Sequence, residues 1–380
     1  MRRMWIKLST PVARRRTIIW GRPLLRLVKI ANVVGTRPDF VKAGLLTREI
    51  RQHHEEILIH TGQHYDENMS DVFFQVLEIP PPNYNLGVGS SSHARQTADM
   101  MRGLEEPLEK EQVNFVLVYG DTNSTLAGAL VAAKMGVPLG HVEAGLRSFN
   151  RKMPEEINRV VADHLSTLLF APTETAVENL SREGITKGVH LVGDVMYDVA
   201  LHSAQAARSR EIVSKLGLRA GEYLLVTLHR PQNVDDRGTL ASIVEALVQA
   251  GRPAVFPVHP RTRKNLEAFG LWEPLKAKVQ AIDPVDYLDF LALLMSAGKV
   301  VTDSGGVQKE AYFFGIPCVT IRDETEWIET LEDGWNALVG TDTEDIVDAI
   351  ERFNPAGTKS KSFGDGHAAE RIARVLDKFV

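Results

Sequence analysis

The chain is 380 residues long, beyond the size at which one hydrophobic core usually keeps growing, so two domains of ordinary size are expected. With 44% hydrophobic and 24% charged residues it has an ordinary globular composition, and no apolar run reaches the roughly 18 residues a membrane-spanning helix needs. Net charge is −5, but residues 1 to 27 carry eight Arg and Lys and no acid, leaving 36 basic against 49 acidic residues beyond, which argues against a nucleic-acid partner.

Residues 1–26 read as a disordered basic arm or as upstream sequence from a misplaced start, with a targeting peptide as the alternative. Apolar strand-like runs then alternate with amphipathic helical stretches, the pattern of parallel sheets with crossover helices. The first run, 27–34, leads into Gly35-Thr36-Arg37-Pro38-Asp39-Phe40-Val41-Lys42. Pro38 suits the opening turn of a helix, and a helix start flanked by Arg37 and Lys42 suits a phosphate. A plain strand-to-helix turn with solvated charges competes with that reading.

Further strands are expected at 56–61, 114–119, 137–142, 167–171 and 189–192. The run 114–119 ends on Gly120-Asp121-Thr122, the run 137–142 ends on Glu143, and Pro154-Glu155-Glu156 opens a helix, so three carboxylates stand at successive strand or helix ends. Asp121, Glu143 and Glu155 are therefore acid/base candidates. Glu155 and Glu156 also suit a helix N-terminus, and helical spacing puts Glu155, Arg159 and Asp163 on one face, so that Arg159 merely pairing with the two acids is a competing reading. His141 and His164 read as core histidines, and no zinc-ligand spacing occurs.

These elements make a first domain over 27–193, and a second is expected over 194–364 with strands at 223–228, 254–258, 279–282, 298–302 and 317–321. His229 and Arg230 end the first of these strands. Thr302-Asp303-Ser304-Gly305-Gly306-Val307-Gln308-Lys309-Glu310 runs from strand into helix, with glycines that leave bare amide donors at the helix start, an anion-site candidate. Glu310, a turn and a half inside, is placed to accept both hydroxyls of a ribose; a surface glutamate is the competing reading. The lone cysteine, Cys318, sits in an apolar run and permits neither a disulfide nor a cysteine metal cluster, and a cytoplasmic location is expected. No Gly-x-Gly-x-x-Gly after a strand and no Walker A sequence occurs, so no cofactor is expected. Residues 365–380 are expected to form a helix that packs back on the first domain. Ligands of two facing parallel sheets should meet the carboxyl ends of their strands.

Taken in order, Gly35-Thr36-Arg37-Pro38, Gly120-Asp121-Thr122, His141-Val142-Glu143-Ala144-Gly145-Leu146-Arg147, Pro154-Glu155-Glu156-Ile157-Asn158-Arg159, Pro172-Thr173-Glu174 and Asp303-Ser304-Gly305-Gly306 resemble the motifs of non-hydrolysing UDP-N-acetylglucosamine 2-epimerases. The resemblance spans about residues 28 to 375. It implies an α/β fold of two Rossmann-like domains facing a cleft, as in the GT-B nucleotide-sugar glycosyltransferases, a UDP-sugar substrate and a homodimer. The implied reaction interconverts UDP-N-acetylglucosamine and UDP-N-acetylmannosamine by loss and return of UDP. By position, Arg37, Lys42, Asp121, Glu143, Glu155 and His229 match residues implicated in substrate binding or catalysis, and Phe290, Ser304, Gly305, Gly306 and Glu310 match nucleotide contacts.

Two places depart from the common pattern. Trp327 stands where many bacterial members have arginine, as in archaeal members and in relatives acting on UDP-2,3-diacetamido-glucuronate, a substrate for which Arg151-Lys152 offer positive charge. Thr61-Gly62-Gln63-His64-Tyr65-Asp66 resembles the segment through which some bacterial members bind a second, activating UDP-sugar, with His64-Tyr65 in place of the common His-Arg. A glycosyltransferase of the same architecture and a non-catalytic UDP-sugar sensor are the remaining alternatives.

Overall fold

The computed structural model describes residues 28–63 and 80–379, so the basic arm and His64-Tyr65-Asp66 lie outside the described residues. Among the described residues, one parallel sheet holds β1 (Lys29–Val34), β2 (Glu55–His60), β3 (Tyr84–Asn85), β4 (Phe115–Tyr119), β5 (Leu139–Val142), β6 (Leu168–Ala171) and β7 (Val189–Leu191), in the order β3-β2-β1-β4-β5-β6-β7. A second holds β8 (Leu224–Thr227), β9 (Ala254–Pro257), β10 (Gln280–Ile282), β11 (Lys299–Thr302), β12 (Cys318–Thr320) and β13 (Asn336–Leu338), in the order β10-β9-β8-β11-β12-β13. The expected strands all occur within two residues of their expected bounds. β3 and β13 were not anticipated: Tyr-Asn and Asn-Ala-Leu are too short and too polar to read as apolar runs, and they form by adding to the edge of a sheet already built.

Each strand order reverses once, between β1 and β4 and between β8 and β11. Connections leave on opposite sides of the sheet at such a point, which opens a crevice beyond the strand carboxyl ends. The residues that follow these four strands are Gly35-Thr36-Arg37, Gly120-Asp121, His229-Arg230 and Asp303-Ser304. Topology thus delivers the sequence motifs to two crevices.

The core ties the two sheets together. One apolar cluster joins Ile30, Leu117 and Tyr119 of the first sheet to Val195 and Val199 of the helix Val195–Arg208, and to Leu288 and Leu291 of the helix Tyr287–Ser296. Ile372 and Leu376 of the helix Ala368–Phe379, both fully buried, enter the same cluster beside the helix Arg37–His53. Polar contacts fix both ends of this last helix. Asp198 accepts from the Ala369 N–H at 2.8 Å, and Asp377 meets His53 and His54 at 2.8 and 2.9 Å. The Cys318 thiol is buried and pushed up to about 12 by that burial. No helix among the described residues is long and apolar enough to cross a membrane.

Ile372→Ala should remove about 2–5 kcal/mol of stability, the cost of an unfilled core cavity. Urea denaturation measures it, and a loss below about 1 kcal/mol would show that the terminal helix is only loosely docked.

Candidate active site

At the first crevice the Asp39 carboxylate accepts from the N–H groups of Gly35 and Thr36 at 3.1 and 3.0 Å and from the Thr122 hydroxyl at 3.3 Å. This buried carboxylate locks the turn after β1 to the turn after β4 and fixes where the helix Arg37–His53 begins. Arg37 then faces the second domain, and Lys42, one and a half turns on, reaches across Gly120 to form an ion pair with Glu143. Gly120 has φ +59°, and a Cβ there would lie 2.8 Å from the lysine Nζ, so only glycine leaves the path open.

Glu143 itself has φ +72°, a left-handed conformation that costs a non-glycine residue of order 1–3 kcal/mol and clusters at functional sites. Its neighbours overdetermine it. The N–H groups of Glu143 and Ala144 both donate to the Phe170 carbonyl at 3.1 Å, and the Gly145 N–H donates to Asp163 at 3.1 Å. Asp163 is fully enclosed and also meets His141 at 2.6 Å and Arg147 at 2.7 Å, while the other His141 nitrogen meets the Gly120 carbonyl at 2.7 Å. Burial would raise the Asp163 carboxyl, but His141 and Arg147 hold it below the usual range.

Arg159 does not pair as its helical spacing suggested. Asp163 is turned inward to His141 and Arg147, so Arg159 instead forms an ion pair with Asp121 and approaches Glu156 at 3.4 Å. Glu156 is occupied by the loop that leads into its own helix, accepting from the N–H groups of Ser148 and Phe149 at 2.9 and 3.0 Å. Glu155 stays partly exposed in the first helical turn, close enough to act electrostatically on both Asp121 and Arg230. Burial raises the Asp121 carboxyl against the pull of Arg159 and Lys42. Arg151 and Lys152 are exposed.

At the second crevice Asp303, wholly buried, organises the strand ends. It accepts from the N–H groups of His229 and Arg230 at 3.1 and 3.0 Å and from the Asn233 amide at 3.2 Å, and it stands 3.3 Å from the His229 ring. Burial opposes the charge of Asp303, and these donors overcome it and keep its pKa low. Ser304 caps the helix Gly305–Phe314, its hydroxyl accepting from the Val307 N–H at 3.4 Å. A Cβ on Gly305 would lie 2.5 Å from a Glu326 oxygen, whereas one on Gly306 would meet nothing nearer than 3.9 Å, so the helix start is bare on its open side.

Arg37, His229, His259, Tyr287, Phe290 and Ser304 line a cavity of about 290 Å³ between the crevices. Glu310 lies buried beside it, in hydrogen-bonding contact with Tyr287, and burial pushes its carboxyl up to about 7 against Tyr287, Lys309 and Arg37. Arg37, His229, Phe290 and Ser304 are thus gathered on one cavity, with Glu310 beside it, and Lys42, Glu143 and Asp121 are gathered close to one another beyond β4 and β5.

No local sequence pattern marks Lys309, Asp194, Tyr287 or His259 as functional. Lys309 meets Glu143 at 3.0 Å and Asp194 at 2.6 Å, with its Nζ 3.9 Å from the Trp327 ring centre. Burial would raise Glu143, yet Lys309 and Lys42 together hold it well below the usual carboxylate range. Among the described residues no group of acids, histidines or cysteines has the arrangement of a metal site.

A family model described as UDP-N-acetylglucosamine 2-epimerase matches residues 48–377. The chain belongs to that family. It is 51% identical over 354 residues to a UDP-N-acetylglucosamine 2-epimerase homolog of Methanococcus maripaludis, covering 92% of this chain and 99% of the relative. It is 48% identical over 362 residues to the UDP-2,3-diacetamido-2,3-dideoxy-D-glucuronate 2-epimerase of Pseudomonas aeruginosa, covering 92% of this chain and 100% of the relative. A crystal structure of the Methanocaldococcus jannaschii UDP-GlcNAc 2-epimerase in complex with UDP-GlcNAc and UDP superposes with a TM-score of 0.85 at 44% identity, over 92% of this chain and 99% of that one. The two-domain GT-B-like fold extends to the UGT2 of Phytolacca americana, at a TM-score of 0.57 and 12% identity over 93% and 94% of the two chains, a likeness of fold alone.

Asp163→Asn should destabilise the protein by about 3–5 kcal/mol, because it leaves the Arg147 charge buried with one partner fewer. Equilibrium denaturation checks this, and an unchanged midpoint would mean that Arg147 is satisfied by Glu183 alone, whose two oxygens accept from its Nε and Nη2 at 2.7 Å.

Proposed function

We propose that the protein is a non-hydrolysing nucleotide-sugar 2-epimerase that interconverts UDP-N-acetylglucosamine and UDP-N-acetylmannosamine. The observation that carries this reading is the meeting of two half-sites. A bare helix start shares a cavity with Arg37 and His229, and Lys309, on the same helix, meets Glu143 of the group formed by Lys42, Asp121 and Glu143. Membership of the epimerase family supports it.

In this scheme the uracil sits against Phe290, Glu310 takes the ribose hydroxyls, and the diphosphate lies at Ser304, Gly305 and Gly306 with Arg37 and His229 beside it. The hydrogen on C2 is not next to a carbonyl, so its direct removal is steep. If the bond from C1 to the diphosphate oxygen breaks first, UDP leaves with the electron pair and C1 gains positive character that acidifies the C2 hydrogen. A carboxylate removes that proton, and the C–H electron pair forms the double bond of a 2-acetamidoglucal. Return of a proton to the opposite face of C2, with UDP re-added at C1, gives the epimer. Asp121, Glu143 and Glu155 supply the acid/base groups, and Lys42 balances the charge. The scheme draws on no cofactor.

A homodimer, a cytoplasmic location and a place in cell-surface polysaccharide synthesis belong to the same reading through the family resemblance, as does a second, activating UDP-sugar near Thr61 to Asp66. A second substrate, UDP-2,3-diacetamido-glucuronate, is favoured by one observation, Trp327 at the site, and by the likeness to the Pseudomonas aeruginosa relative.

Incubation with UDP-N-acetylglucosamine alone should yield the manno isomer without any acceptor. A glycosyltransferase or a sugar sensor would leave the substrate unaltered, and a large preference for the diacetamido-uronate offered in parallel would replace the first substrate by the second. Glu143→Gln or Asp121→Asn should slow the interconversion by about 10² to 10⁴, with a smaller loss of UDP binding.

A further inference from the structure

Lys309 lies on the second domain, four residues past Gly305 on the helix whose start is open to the cavity, yet it pairs with Glu143 of the first domain and with Asp194 at the domain crossing. All three of its donor directions are engaged: Glu143 at 3.0 Å, Asp194 at 2.6 Å and the face of Trp327, whose ring centre lies 3.9 Å away. Only 4% of its side chain is exposed. Glu143 has its other oxygen on Lys42, so each carboxylate oxygen is held by a different ammonium, one from each domain. Asp194 is fixed in turn as the cap of the helix Val195–Arg208, accepting from the Met196 N–H at 2.7 Å. Trp327 is itself buried and packs near Phe363.

This arrangement is more than charge neutralisation. A lysine ammonium on a four-carbon stem ordinarily loses its position easily. Here a carboxylate cap and an aromatic face immobilise it, leaving one direction, toward Glu143. The same helix that opens on Ser304, Gly305 and Gly306 therefore carries, one turn inside, the group that aims an acid/base candidate on the opposite wall.

The geometry points to Lys309 as a positioning residue of the epimerisation: seated on Asp194 and Trp327, it reaches across the domain boundary to hold Glu143 ionised and aimed at the sugar. The inference rests on the proposed epimerase reading and assigns within it a contribution that neither the motifs nor the resemblance supplied. Lys309 moves no proton itself. Glu143 keeps the acid/base role, and Lys309 sets its charge and its place. The charged groups around the pair are Lys42 and Asp39 from the helix Arg37–His53, Asp121 after β4, Asp194 at the domain crossing and Glu310 on the helix of Lys309. Lys42 still faces Glu143 when Lys309 is removed, so Glu143 keeps one counter-charge, whereas buried Asp194 is left with the Met196 N–H and the variant carries a folding cost that the stability control must separate from the loss of kcat.

The test compares Lys309→Met, Lys309→Arg, Glu143→Gln and the double variant Glu143→Gln with Lys309→Met in the full-length protein, with folding verified by circular dichroism. Lys309→Met should lower kcat by about 10- to 100-fold, the range for a misplaced reacting group, while KM and the Kd for UDP stay within about threefold. Lys309→Arg should recover most of that loss. In the double variant, adding Lys309→Met to Glu143→Gln should cost almost nothing further, because residues that act through one another are not additive. If Lys309→Met does not fold, Trp327→Phe and Trp327→Leu read the same contact from beneath, and only the leucine variant should lose kcat. Losses that multiply in the double variant, or a fall in UDP binding matching the fall in kcat, would overturn the assignment in favour of a structural lysine. Failure of the unaltered protein to turn over either UDP-sugar would instead remove the epimerase reading on which the inference stands.

Discussion

Two ammonium groups and two carboxylates share a volume between the domains that water barely reaches: Lys42, Lys309, Glu143 and Asp194. Removing any one partner would strand charge in that volume, at a cost of about 3–5 kcal/mol for a buried pair. The rest of the molecule is arranged to avoid this. Asp39 sets the start of the helix that carries Lys42, the Asp163 cluster holds the strained backbone at Glu143, and Asp194 sits at the crossing between domains. The helix of Lys309 comes from the other sheet, so the register of the two domains is itself fixed by where these charges must meet.

That constraint explains how one cleft holds two kinds of chemistry. The second domain offers the bare amides of the helix start, with the carboxylate of Asp303 turned back onto the strand ends and that of Glu326 paired with Arg322 at 3.1 Å. The first domain presents acids whose environments differ. Glu143 is held well below the usual range by two lysines, whereas desolvation raises the Asp121 carboxyl against the pull of Arg159 and Lys42. Groups pushed apart in this way are what a reaction needs when a proton leaves one face of a carbon and returns to the other. Neither half of the site would suffice alone.

Much of this was legible in the sequence, and the boundary has physical causes. Parallel strands buried on both faces appear as continuous apolar runs, so β1, β4, β8 and β11 could be placed, and with them every motif that follows their carboxyl ends. Local patterns do not name tertiary partners. Arg159 has correct helical spacing to Glu155 and Asp163, but Asp163 is drawn inward by His141 and Arg147 from other segments, and Arg159 turns to Asp121. Lys309 stands in a motif that was read for its glycines. Nothing local marks it among 44 basic residues, because its partner Glu143 lies 166 positions away. β13 escaped notice because three residues at a sheet edge carry no period of their own.

In the proposed mechanism UDP leaves before the sugar is reprotonated, with the C2 hydrogen passing to a carboxylate in exchange with water. Reaction in heavy water tests it directly, with the product and the recovered substrate examined by proton NMR. Elimination and re-addition should place deuterium at C2 of the epimer formed. Product that retains all of its original C2 hydrogen would contradict elimination and re-addition, and with it the roles given to Asp121, Glu143 and Glu155.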